Sequence, residues 1–115
     1  MAARYDRRML TAATFDPLAR STLTALQDRL DAAYESGALE ELELEAGVLT
    51  IMTATGKSFI VSAHGPSMEI WLASPLSGGL HFRWNGTAWA LPDGALLDDV
   101  LARDLQSQGV EMAHA

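Results

Sequence analysis

The chain has 115 residues, enough for one domain with its own core. Hydrophobic residues make up 49% and charged residues 20%, a globular balance that excludes a disordered chain, and no apolar stretch is long enough to cross a bilayer. Fifteen acids against eight bases give a net charge of −7, which disfavours nucleic acid and favours cations and basic protein surfaces as partners. Cysteine is absent, so disulfides, thiolate nucleophiles and thiolate-held metals are excluded; any metal must be held by carboxylate, imidazole, backbone or water.

Residues 1–14 carry Arg4, Arg7 and Arg8 and lack the apolar run of a secretory signal. They are expected to form a flexible arm, with an organellar transit peptide as the alternative, ahead of a single domain over residues 15–109. Asp16-Pro17 predicts a helix start, with Asp16 as the cap and Pro17 at the first helical position, and Gly37 predicts its stop. Leu23, Leu26, Leu30 and Tyr34 recur at helical spacing as the apolar stripe, and Asp28, Asp31 and Glu35 fall opposite them.

The period then changes from helical to two. Glu41-Leu42-Glu43-Leu44-Glu45 alternates as a half-buried strand does, leucines inward and glutamates outward. Strands follow at 48–53, 58–61, 69–73, 80–84 and 88–91, punctuated by Gly47, Gly56-Lys57, Gly65-Pro66, Pro75 with Gly78-Gly79, and the hairpin signal Asn85-Gly86. Leu97, Val100, Leu101 and Leu105 restore the helical period up to Gly109, and residues 110–115 are expected to be a flexible tail. The predicted fold is α+β: a two-layer sandwich with two helices on one face of a five- to six-stranded antiparallel sheet.

Two constellations carry chemistry. Residues 27–45 hold seven of the fifteen acids, Asp28, Asp31, Glu35, Glu40, Glu41, Glu43 and Glu45, against the single base Arg29. Such crowding of like charge opposes stability, and it points to a cation-binding ridge or a dock for a basic partner; a surface kept charged for solubility is the plain alternative. The second is the open face of the sheet, where alternation sends Glu69, Trp71, His81 and Arg83 outward as a candidate protein-contact patch, unless a loop covers the tryptophan. Gly56-Lys57-Ser58 lacks the earlier glycine and the following helix of a phosphate loop. His64, His81 and His114 have no ligand spacing. The two Glu-x-x-His motifs of a buried di-iron site are not present; the one such spacing, Glu111 to His114, lies in the expected tail.

Gly47-Val48-Leu49-Thr50-Ile51, the run Ile70-Trp71-Leu72-Ala73-Ser74-Pro75 with Ser77-Gly78, then Trp84, Trp89 and the closing Leu-rich helix resemble the frataxin family from about Phe15 to Gln108, on its bacterial branch. The resemblance implies the two-helix sandwich read above. It also implies a part in iron–sulfur cluster assembly: ferrous or ferric iron bound weakly at Asp28, Asp31, Glu35, Glu41, Glu43 and Glu45, and docking of the sheet face, with Trp71, on the cysteine desulfurase and scaffold complex. It implies a cytoplasmic protein, or alternatively one of the mitochondrial matrix, that is monomeric and oligomerises with excess iron. Departures are Ser62-Ala63-His64 in place of an Asn-Lys-Gln type run, Glu69 in place of Gln, His81 where mitochondrial members carry Arg, and Asp31-Ala32 where the family pairs acids. Glu69 is expected to add anionic character to the sheet. The competing readings are a ferroxidase or iron store at the ridge, the one enzyme reading, and an acidic adaptor that never binds metal.

Overall fold

Thr11 and Thr14 start the first helix. The Thr11 side chain accepts from the Thr14 backbone N–H, and the Thr14 hydroxyl in turn accepts from the Thr11 N–H, a reciprocal cap that opens helix α1 at Ala12–Glu35. The expected start at Asp16-Pro17 is therefore too late. Pro17 lies inside the helix, and Asp16 pairs with Arg20 one turn on rather than capping. Residues 12–14 belong to this helix and not to a flexible arm, and Leu10 packs against the core. The structure, a computed structural model, describes residues 10–114, so the remainder of the expected arm lies outside the described residues.

Six strands follow: β1 (Leu39–Glu45), β2 (Val48–Thr53), β3 (Ser58–His64), β4 (Glu69–Ser74), β5 (Gly78–Trp84) and β6 (Trp89–Ala90). Helix α2 (Leu97–Gln106) comes last. The sheet is antiparallel throughout and runs in chain order, β1 at one edge and β6 at the other. Gly78-Gly79, expected as a break, opens β5. The period-two pattern commits Leu49, Ile51, Phe59, Val61, Ile70, Leu72 and Phe82 to the inner face, where they meet Phe15, Ala19, Leu23, Leu26 and Leu30 of α1 and Leu97, Val100, Leu101 and Leu105 of α2. Trp89 closes the core edge-on to Phe15, and its indole N–H donates to Thr22 Oγ1 at 2.9 Å, so burying it leaves no orphan donor. Tyr34, expected on the apolar stripe, is 48% exposed, and Ala33 takes the inward place near the helix end.

Gly37 and Gly109 end the two helices by one device. Each has a positive φ, and the residue after it donates back to the carbonyl five positions earlier: Ala38 to Ala33 at 2.9 Å and Val110 to Leu105 at 3.0 Å. The second turn sends the chain back over the helices. Val110 is buried, Met112 packs on the core, and Ala113 exchanges two hydrogen bonds with Arg29, donating its N–H to the Arg29 carbonyl at 2.9 Å and accepting from Arg29 Nε at 2.6 Å. The expected flexible tail is thus an ordered strap as far as Ala113, because a buried valine and a two-way backbone tie anchor it.

Asp104 secures the other end of the sheet. This buried carboxylate accepts from Ser74 Oγ at 2.8 Å and Ser77 Oγ at 2.6 Å, while Ser74 Oγ accepts from the N–H groups of Leu76 and Ser77. The Ser-Pro-x-Ser-Gly run therefore folds as a turn pinned to α2.

Val110→Ala is expected to lower the free energy of unfolding by about 1–3 kcal/mol through a core cavity, whereas Glu111→Ala, one exposed residue further, stays within about 0.5 kcal/mol. Urea denaturation measures both, and two equally small losses would mean that the strap is not packed.

Candidate functional site

Strand register arranges the outer face of the sheet in rows. One row runs Glu45, Val48, Ser62, Trp71 and His81 across five strands. Beside it on one side stand Glu43, Thr50, Ile60, Ala73 and Gly79, and on the other His64, Glu69 and Arg83. The face is thus acidic along the β1 edge, aliphatic in the middle around Val48 and Ile60, and aromatic with paired charge over β3–β5.

All four predicted contact residues, Glu69, Trp71, His81 and Arg83, come together there. Trp71 stands between two imidazoles. His64 stacks on one face with ring centroids 3.4 Å apart, and His81 on the other at 4.1 Å, with interplanar angles of 18° and 5°. The Trp71 indole N–H donates to Glu69 Oε1 at 2.9 Å, and Arg83 Nε donates to Glu69 Oε2 at 2.9 Å. His81 Nδ1 lies 3.7 Å from the same carboxylate, and His64 Nε2 lies 3.2 Å from Ser62 Oγ.

Glu69 does not act as expected. Its side chain is 9% exposed and its charge is matched by Arg83, so it adds no anionic character to the surface. It sits beneath the stack and orients it. The indole N–H of Trp71 holds its carboxyl below the usual carboxylate range; burial opposes this, and Ser67 and Arg83 add to the lowering. The turn before it contributes. Met68 adopts a left-handed φ of 55° and its N–H donates to the Gly65 carbonyl at 3.1 Å, which closes a four-residue loop and pairs His64 with Glu69.

His64 is the residue that sequence reasoning missed. Its signal is the alternation of β3 itself, because extending the strand past Val61 puts Ile60, Ser62 and His64 on the face that carries Trp71.

The acids fall in two ranks. Glu41, Glu43 and Glu45 share the outer face of the edge strand, paired in register with Met52, Thr50 and Val48. Asp28, Asp31 and Glu35 are exposed on α1, whose buried residues face the other side of the sheet. The six acids thus lie on two adjoining elements, helix α1 and edge strand β1. Among the described residues none of the six forms an ion pair, and no three His, Asp or Glu side chains converge to hold a metal ion. These hard oxygen donors suit hydrated, monodentate contact with iron and do not suit a closed cage. A groove of about 530 Å³ lies where α1 passes the β1–β2 turn, floored by Phe15, Leu23 and Leu44; its charged pair, Asp16 with Arg20, is exposed and mutually satisfied.

An α-β₆-α sandwich whose open sheet face is polar and aromatic defines the class of the molecule. The sequence model of the frataxin-like domain matches residues 8–111. The chain belongs to the frataxin-like family. It is 39% identical over 97 residues to the iron-sulfur cluster assembly protein CyaY of Pseudomonas fluorescens, an alignment covering 82% of this chain and 84% of that one. Among solved structures it is similar to trimeric yeast frataxin complexed with ferrous iron, from Saccharomyces cerevisiae, with 32% identity, a TM-score of 0.68 and coverage of 78% and 83%. Frataxin from Psychromonas ingrahamii shares the fold, with a TM-score of 0.78 over 90% of this chain and 97% of that one at 17% identity.

Glu69 is depressed in the folded state, so the stability it contributes is present above the ordinary glutamate value of about 4.3 and is lost as pH falls through the lowered folded value. Thermal unfolding followed from neutral pH to below 4 is expected to show a shallower acid limb in Glu69→Gln than in the parent chain. Parallel limbs would show that the carboxylate is not held by its partners.

Proposed function

We propose that this protein takes part in iron–sulfur cluster assembly as a binding and regulatory protein of the bacterial cytoplasm. It docks by its open sheet face on the cysteine desulfurase and scaffold complex and carries loosely held iron on its acids. The observation that carries this reading is the assembly of Trp71, His81 and Arg83 around the buried Glu69 on the uncovered face of the sheet, in a chain whose bacterial relatives are named for cluster assembly.

The division of labour follows from the layout. Trp71 is held upright by Glu69 and two flanking rings, so little rotamer entropy remains to be lost on docking. The aliphatic middle of the face supplies apolar area, and the Glu41, Glu43 and Glu45 margin attracts a basic surface and speeds encounter. Iron is cargo here. It meets well-spaced carboxylates, keeps much of its water, and is bound with modest affinity and little discrimination from other divalent ions.

Trp71→Ala is expected to weaken binding to purified cysteine desulfurase by tenfold or more, on the scale of about 1.4 kcal/mol per decade, while unfolding stays cooperative because the side chain stands outside the core. Unchanged affinity would remove the sheet face from the interface. Separately, ferrous iron at about a hundredfold excess over its dissociation constant is expected to raise the melting temperature by at least about 5 °C. The rise should be absent when Glu41, Glu43, Glu45, Asp28, Asp31 and Glu35 are all amidated; an unchanged melting temperature in the parent chain would mean that these acids hold no metal.

A further inference from the structure

Trp71 does not offer its faces to a partner, because His64 covers one and His81 the other. Whatever settles on this part of the sheet meets the indole edge and the outer edges of two imidazoles. Imidazole is the side chain that changes charge between pH 5 and 8, and here two of them bracket the residue at the centre of the proposed footprint.

Among the described residues, few charged groups surround the stack. From β4, Glu69 faces both rings: it is paired in register with His64, and its Oε1 lies 3.7 Å from His81 Nδ1. On β5, Arg83 stands two residues from His81 and is bonded to Glu69. On the β2 side, Ser62 and Val48 intervene before Glu45 on the edge strand. β6 pairs with Arg83 and Trp84 through Ala90 and Trp89 and brings no charge to His81. Glu69 and Arg83 neutralise one another. This end of the face is therefore uncharged while both imidazoles are neutral and carries two positive charges once both are protonated. Either face of an indole can seat an imidazolium, so protonation charges the stack without dismantling it.

We infer that the His64–Trp71–His81 stack makes docking of the sheet face proton-dependent, binding to a basic partner surface weakening as the imidazoles charge. This rests on the docking reading given above. By linkage, docking must also expel the protons that weaken it, since each equilibrium shifts the other by the same factor. A new positive charge about 4 Å from a partner cation costs about fivefold in affinity even with water-like screening.

Affinity for purified cysteine desulfurase at about pH 7.5 and about pH 5.8, on either side of the imidazole range, tests this. The chains compared are the parent and the His64→Gln/His81→Gln variant, with the two single variants alongside and cooperative unfolding checked for each. The parent is expected to lose at least about fivefold in affinity on acidification and the double variant less than half of that loss on a logarithmic scale. Calorimetry near pH 6.5 in two buffers of different ionisation heat is expected to report protons released when the parent docks and none when the double variant does. An affinity of the parent that ignores pH, or an equal loss in the double variant, overturns the inference and leaves the docking reading standing. No binding at either pH overturns the docking reading, and the inference with it.

Discussion

Both helices cover the same side of the sheet, and that constraint governs the rest of the molecule. With a side-chain period of two, every second strand residue is committed to the core and the alternate ones to the open face. A slip of one residue would bury the glutamates of β1 or expose the phenylalanine of β3 or β5. The register that keeps Leu49, Ile51, Phe59, Val61, Ile70, Leu72 and Phe82 inside also decides which outward side chains become neighbours. Trp71 and His81 are opposite one another because Ile70 and Phe82 are.

The features legible in the sequence are those with a strong local period. The alternation through Glu41–Glu45, the leucines of both helices and the Asn85-Gly86 turn were enough to specify two helices on an antiparallel sheet, and they separated Trp71, His81 and Arg83 from the core. Features that depend on contacts distant in sequence were not legible. A Thr-x-x-Thr cap lacks the acid of the usual signature, whereas Asp16-Pro17 carries a stronger local start signal. His64 reaches Trp71 only because the loop over residues 65–68 has four residues and places Met68 in a left-handed conformation, a register no local pattern specifies. Tyr34 fits the helical stripe yet lies where the helix runs out of sheet to cover. Asp104 reads as one more surface acid until the serines of the β4–β5 turn, thirty and twenty-seven residues earlier, are set against it.

Glu69 shows how a buried carboxylate organises a surface while its own charge is matched by Arg83. A carboxylate at that position accepts from the indole and the guanidinium together, whereas a neutral amide would compete with them as a donor. The result is a tryptophan fixed in one orientation by groups that are themselves fixed. Preorganisation of this kind improves binding chiefly by reducing what must still be ordered on contact.

Along β1 the sheet ends, and an edge strand presents unpaired N–H and C=O groups to any strand that comes alongside. Three glutamates spaced along that strand make two copies of this chain repel one another there. The strand has no proline, and beyond the break in register between Leu39 and Glu41 its guard among the described residues is electrostatic. Anything that cancels the three charges, whether acid, concentrated salt or a crowd of divalent ions, leaves the backbone ladder open to self-association. The residues suited to attracting a cation are thus also the ones that keep the protein from zipping onto itself.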